Sequence, residues 1–331
     1  MSGSDPKVSF ASSLAPLMDQ FLREKRAIGY RYEAGEAELM RLDRFLADHA
    51  PEAGTLSRSI TRDWLAKRPH ESPRTQQNRF SLAHQFALFL CRHGHPAYVP
   101  DASLAAKGRS GFTPYIFTHA QVRRLLQEGD RPAPTALSPL RHLVMPEVFR
   151  LLYGCGFRVG EVLSLRVGDV DTHRGVLTVR DGKFGKDRLV PPAPSLVRRL
   201  RSYEAAIRPV VGRRPADAFY FPSRRGGPWH ESSIYSFFRQ MLHRCGIPHG
   251  GRGKGPRIHD LRHTFAVHTM LRWYREGADL DARLPILATY LGHQSLLGTE
   301  RYLHLTAELF PEVTARADAA FGDVIPGSVR R

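Results

Sequence analysis

Three stretches of this 331-residue sequence hold side chains whose types and spacing could do chemistry on an anion. In IHDLRHTFAVHTML, His259 and Arg262 stand three apart in a predicted helix and therefore share a face. The arginine supplies fixed charge and paired donors, and the histidine a donor or a proton carrier, a combination that suits a phosphate. Ordinary surface charge would look the same. His259 and His263 at i,i+4 could also pair on a metal, but the stretch lacks the Glu of H-E-x-x-H and an obvious third ligand. In YLGHQSLLGTERYLH, His293 precedes Tyr302 by nine residues across a break containing Gly and Ser. Most tyrosines simply pack, but one beside cations can be a nucleophile, because positive charge favours phenolate and stabilises a phosphate gaining charge. In LLYGCGFRVGEVLSLRVGDVD, Gly154 and Gly156 break a helix just before Arg158, and Val159, Val162, Leu163 and Leu165 restart one. Arg158 then sits near a helix N-terminus, where backbone N–H groups also favour an anion. Glu161, one turn on, could orient Arg158 or Arg166, or form a purely structural ion pair.

These residues must be positioned by an organised chain. From Val8 to about His95 the pattern is helical, with Leu14, Leu17, Phe21 and Leu22 at one face spacing and Leu39, Leu42, Phe45 and Leu46 at another. Thr61 is expected to cap RDWLAKR, and Pro73 to open a helix striped by Phe80, Ala83, Phe86, Ala87 and Leu90. The resulting bundle of about four helices, residues 1–95, is followed by a stretch rich in Gly, Pro and Ser, residues 96–114, read as a linker. A second domain over 115–310 begins with a helix capped by Thr118 and a long apolar helix from about Arg141 to Tyr153. GVLTVRDGKFGKDRLVPP predicts a hairpin, because Val176 and Val179 on one side and Leu189 and Val190 on the other flank a turn rich in Gly and Asp. Helices are then expected at Pro194 to Ile207, Ser232 to Cys245, His259 to Arg275 and Leu284 to Leu291. A tail, 311–331, could form one more amphipathic helix through Val313, Ala317 and Phe321. The fold class is mainly α with a small antiparallel β-sheet.

Composition narrows the partner. Lys and Arg outnumber Asp and Glu by 49 to 32, for a formal charge of +17, which points to a polyanion unless it reflects a generally basic, Arg-rich proteome. Residues 198 to 262 carry fourteen basic and four acidic side chains, Arg predominating, and its planar fork suits phosphate oxygens. Cys91, Cys155 and Cys245 are scattered and odd in number, read as small buried hydrophobes rather than as disulfides or a zinc ribbon. No apolar run approaches a membrane span, and the N-terminus lacks the order of a signal peptide, so a cytoplasmic protein is expected.

In order, Gly-x-Arg-x-x-Glu, a hairpin lysine, His-x-x-Arg-His, Leu-Gly-His and Tyr closely resemble the tyrosine recombinase (phage-integrase) family, over residues 145 to 310. The resemblance implies a helical DNA-gripping domain ahead of a catalytic one. It further implies that Arg158 and Arg262 clamp a scissile phosphate, that His259 and His293 hydrogen-bond it or shuttle protons, and that Tyr302 is the nucleophile. Lys183, in the turn GKFGK, would protonate the leaving 5′ oxygen, with Lys186 as the other candidate. Glu161 would orient Arg158, and His263 would support the site or the helix packing. No cofactor or metal is implied, since two arginines and a lysine can offset the charge of a pentacoordinate phosphate and the chain has no acidic cluster to hold Mg²⁺. The implied partner is duplex DNA, bound as a homotetramer, with accessory DNA-bending or partner recombinase proteins a further possibility, in the setting of a mobile element. A type IB topoisomerase shares this chemistry, and a catalytically silent DNA-binding protein of the same fold is the alternative from another class.

Overall fold

The computed structural model describes residues 10–28, 32–50, 52, 54–106, 113–180, 187–251 and 255–293. The chain divides into two compact units, Met1–Phe112 and Thr113–Arg331.

The first unit contains α1 (Ala15–Ala27), α2 (Glu33–His49), α3 (Arg58–Leu65) and α4 (Pro73–Arg92). Leu14, Phe21, Leu22, Leu39, Leu42 and Leu46 are buried, joined by Met18, Trp64, Phe86 and Leu90 in one core. The first turn of α3 differs from expectation. Ser57, not Thr61, is its N-cap, accepting from the Ile60 N–H at 3.3 Å, while Thr61 lies one turn inside and returns its hydroxyl proton to the Ser57 carbonyl at 2.8 Å. A threonine one turn into a helix can satisfy itself this way, which removes the need for it to cap. Pro73 does open α4, behind a Ser72 cap. The start of the expected linker packs on this unit: Ala97 bridges Leu56, and Val99 and Leu104 rest against the core. Cys91 is exposed rather than buried, because α4 turns that face to solvent.

In the second unit come α5 (His119–Gly129), α6 (Arg141–Gly154), α7 (Val159–Ser164), β1 (Val170–Asp171), β2 (Val176–Val179), β3 (Arg188–Val190), α8 (Pro194–Val211), α9 (Glu231–Arg244), α10 (Asp260–Arg275) and α11 (Leu280–Leu291). Thr118 caps α5 in a full capping box with Gln121. The apolar helix α6 is central and packs against α5, α7, α8 and α10, its Val144, Val148, Phe149, Leu151 and Leu152 all buried. The expected hairpin is the β2–β3 pair, registering Leu177 with Val190 and Val179 with Arg188, and β1 adds a third antiparallel strand. At two residues, β1 is too short to show a period of two in the sequence. α11 begins four residues before the expected Leu284, because Asp279 caps it through the Asp281 and Ala282 N–H groups. The fold is thus mainly helical, with one small antiparallel sheet.

Candidate active site

The break after α6 is made by glycine for a steric reason. Gly156 adopts φ +62°, and a Cβ there would lie 2.6 Å from Phe265 Cδ1 and 2.7 Å from Leu291 Cδ2. Phe157 is buried next to it, and the chain emerges so that Arg158 is the N-cap residue of α7. Glu161, at the third position of that helix, accepts the Arg158 backbone N–H at 2.8 Å and its Nη1 at 2.6 Å. Arg166 is engaged elsewhere, its backbone N–H on Asp169 at 2.9 Å and its Nη1 on the Asp217 carbonyl at 3.0 Å.

α10 supplies the second group. His259 is its N-cap residue, and the buried carboxylate of Asp260 accepts the Arg257 N–H at 2.8 Å, fixing the turn into the helix. Arg262, one turn along, is 1% exposed and donates Nη1 to the Gly156 carbonyl and Nη2 to the Leu291 carbonyl, both at 2.6 Å. The ring of His263 meets that of His259 edge-to-face, centroids 4.8 Å apart.

α11 ends on a left-handed Gly292, φ +68°, and the next residue, His293, folds its N–H back onto the Ala288 carbonyl at 2.8 Å. The same turn receives Arg158, whose Nη2 lies 3.3 Å from the Gly292 carbonyl. Two arginines that are far apart in sequence therefore reach adjacent carbonyls of one helix end, directly before His293. The structure brings together Arg158, Glu161, His259, Arg262, His263 and His293, whereas Lys183, Lys186 and Tyr302 lie outside the described residues.

Crowding and charge set the protonation of this group. His259 keeps a solvent-exposed surface, yet desolvation by the surrounding protein, followed by the charges of Arg262, Arg158 and Arg257, holds its imidazole down at about 4. Burial and then Arg262 and Arg158 bring His293 to about 4, and burial and then His259 and Arg257 bring His263 to about 3. All three are neutral at pH 7, so each has one ring nitrogen able to accept and one able to donate. Burial acts to raise the Glu161 carboxyl, but the hydrogen bond from Arg188, then those involving Arg158, overcome it and leave the group below its ordinary value. Fixed guanidinium charge beside neutral imidazoles is an arrangement whose chemistry suits an anionic phosphoryl group and proton exchange at a ring nitrogen.

Arg188 is absent from the sequence reading. It sits on β3, 10% exposed, with Nη1 and Nη2 on the two oxygens of Glu161 at 3.0 and 2.9 Å and Nε on the Tyr290 carbonyl at 3.0 Å. Its signal was the period of two: Val190, on the same face, is fully buried, so an arginine two residues earlier must point inward to a partner. Among the described residues no group of three or more His, Cys, Asp or Glu side chains could hold a metal ion, and no helix is long and apolar enough to cross a membrane.

The architecture is shared with solved recombinases. The XerH site-specific recombinase bound to palindromic difH substrate superposes with a TM-score of 0.64 at 16% identity, over 92% of this chain and 84% of that one. The Tn1549 transposon integrase in complex with transposon right end DNA gives 0.62 at 16% identity, over 92% and 98%. In sequence, the integrase/recombinase y4rE of Sinorhizobium fredii is 31% identical across 93% of this chain and 97% of its own length. The tyrosine recombinase XerD of Pseudomonas putida is 29% identical across 91% and 96%. The profile of the phage integrase family matches residues 116–308, the whole stretch that carries α5 to α11, and this chain accordingly belongs to the phage integrase family of tyrosine recombinases.

Proposed function

We propose that this chain recombines duplex DNA at a specific site through a 3′-phosphotyrosyl bond to Tyr302. The observation that carries the assignment of residues is the convergence of Arg158 and Arg262 on the Leu291–Gly292 turn that presents His293. In this reading the Tyr302 oxygen bonds to phosphorus as the P–O5′ bond breaks. The phenolic proton passes to a neutral imidazole, His259 or His293, and the 5′ oxygen takes a proton from Lys183, with Lys186 as the neighbouring candidate. Arg158 and Arg262 offset the charge of the pentacoordinate phosphorus. The phosphotyrosyl bond retains the energy of the one broken, so a 5′ hydroxyl from another strand reverses the attack.

Duplex DNA as partner is supported by the +17 charge and by DNA-bound relatives of the same fold. Joining two duplexes calls for four active sites, hence a homotetramer on DNA, in which the tail 311–331 packs on a neighbouring subunit. The first unit grips DNA together with the catalytic unit, in the cytoplasm, and the integrase relatives favour a mobile element over chromosome maintenance. A nicked duplex built on short inverted repeats, sought by sequencing the DNA on either side of the gene, tests the reading. The wild-type chain should be trapped as a covalent adduct, and Tyr302→Phe should bind equally and form none. An adduct that persists in the variant refutes Tyr302 as nucleophile.

A further inference from the structure

Glu161 lies between two guanidinium groups, those of Arg158 and Arg188, and only the first belongs to the proposed phosphate clamp. Its Oε1 accepts from Arg158 Nη1 at 2.6 Å and Arg188 Nη1 at 3.0 Å, and its Oε2 from the Arg158 backbone at 2.8 Å and Arg188 Nη2 at 2.9 Å. Arg158 is 30% exposed toward solvent, while Arg188 and Glu161 are each 10% exposed. Arg188 is also held by the Tyr290 carbonyl at 3.0 Å and lies within 3.4 Å of where a Cβ at Gly292 would be. It is thus fixed, inward, and unable to follow a ligand.

We propose that Arg188 is a positioning residue that neutralises Glu161, so that the charge of Arg158 remains available to the scissile phosphate. The inference rests on the reading of Arg158 as a phosphate clamp. A buried carboxylate in contact with a single arginine forms a neutral pair and draws that arginine onto itself. With two arginines the trio carries a net charge of +1, and the paired fork geometry assigns the carboxylate mainly to Arg188, because both of its terminal nitrogens are committed there. Arg158 gives Nη1 to Glu161 and Nη2 to the Gly292 carbonyl at 3.3 Å, and its side chain is 30% exposed against 10% for Arg188. Arg188 additionally joins β3 to the end of α11 through the Tyr290 carbonyl, so it sets that strand against the His293 turn.

The test compares single-turnover cleavage of nicked duplexes holding either an ordinary scissile phosphate or a methylphosphonate, whose uncharged group has less need of a cationic clamp. Arg188→Met should slow cleavage of the phosphate about 30-fold or more, with DNA affinity changed less than about threefold. On the methylphosphonate the loss should shrink to less than about fivefold. Arg188→Lys, which keeps the charge but loses the fork, should fall between and show the same contraction; it also serves if the methionine variant does not fold. Equal losses on the two substrates would mean that Arg188 only supports the fold, and undiminished phosphate cleavage would mean that it does not matter; either overturns the proposal. Failure of the wild-type chain to form an adduct would instead sink the underlying reading of the site.

Discussion

Arg262, buried in α10, donates Nη2 to the carbonyl of Leu291 at 2.6 Å, and Leu291 closes α11 two residues before His293. Its Nη1 does the same for the Gly156 carbonyl, two residues before Arg158. One side chain thereby sets the spacing between two others. Arg262→Lys can satisfy only one of these carbonyls, and stranding the other should cost about 1 to 3 kcal/mol. Urea unfolding of the second unit should register that loss, and cleavage should fall by about 100-fold or more. A variant as stable as wild type would show that the two carbonyls do not depend on Arg262.

Gly156 leaves no space for a side chain. In Gly156→Ala the new methyl meets Phe265 and Leu291 in a backbone conformation that alanine rarely adopts, and the carbonyl that receives Arg262 must move with it. A loss of about 2 to 4 kcal/mol is expected in thermal or urea unfolding, with cleavage reduced more than DNA binding. Unchanged stability would contradict the close packing of this turn.

Acid should destabilise the second unit through its histidines. His268 is 7% exposed, stacks on His119 at 3.8 Å and shares a hydrogen bond with Tyr153 at 2.9 Å. Burial and then His119 hold its imidazole down at about 4, below the ordinary 6.5. The unfolded chain therefore takes up a proton between those values that the folded chain does not. Stability is full above pH 6.5 and is lost as pH falls toward 4, by at most about 3 kcal/mol for this group. His268→Gln should flatten that part of the profile. A pH dependence identical to wild type between 6.5 and 4.5 would show that His268 is not the titrating group.

DNA binding should weaken steeply with salt. If six to ten phosphates are contacted, log affinity against log salt should have a slope of about −5 to −9. Filter binding or anisotropy from 50 to 300 mM salt measures it, and a slope near zero would exclude counterion release as the main source of affinity.

Much of this site was legible because its members lie in short local patterns. Gly154 and Gly156 before Arg158, His259 and Arg262 on one helical face, and Leu-Gly-His at a helix end each announce their own geometry. The cap at Thr118 and the opening of α4 at Pro73 follow from the same local chemistry. What stayed hidden depends on distance along the chain. Arg188 meets Glu161 across 27 residues and Tyr290 across 102, and no periodicity names such partners. β1 was too short to show a period, and Ser57 and Thr61 are both acceptable caps until the fold decides which one bonds.

Three guanidinium groups end on the backbone oxygens of Tyr290, Leu291 and Gly292. Carbonyl oxygens are common to every amino acid, so the cradle is indifferent to which side chains the last turn of α11 displays. It responds instead to the direction in which that turn points. A single residue inserted or deleted within α11 would rotate the three acceptors by about 100° and dissolve the arrangement while leaving every one of its named side chains in place.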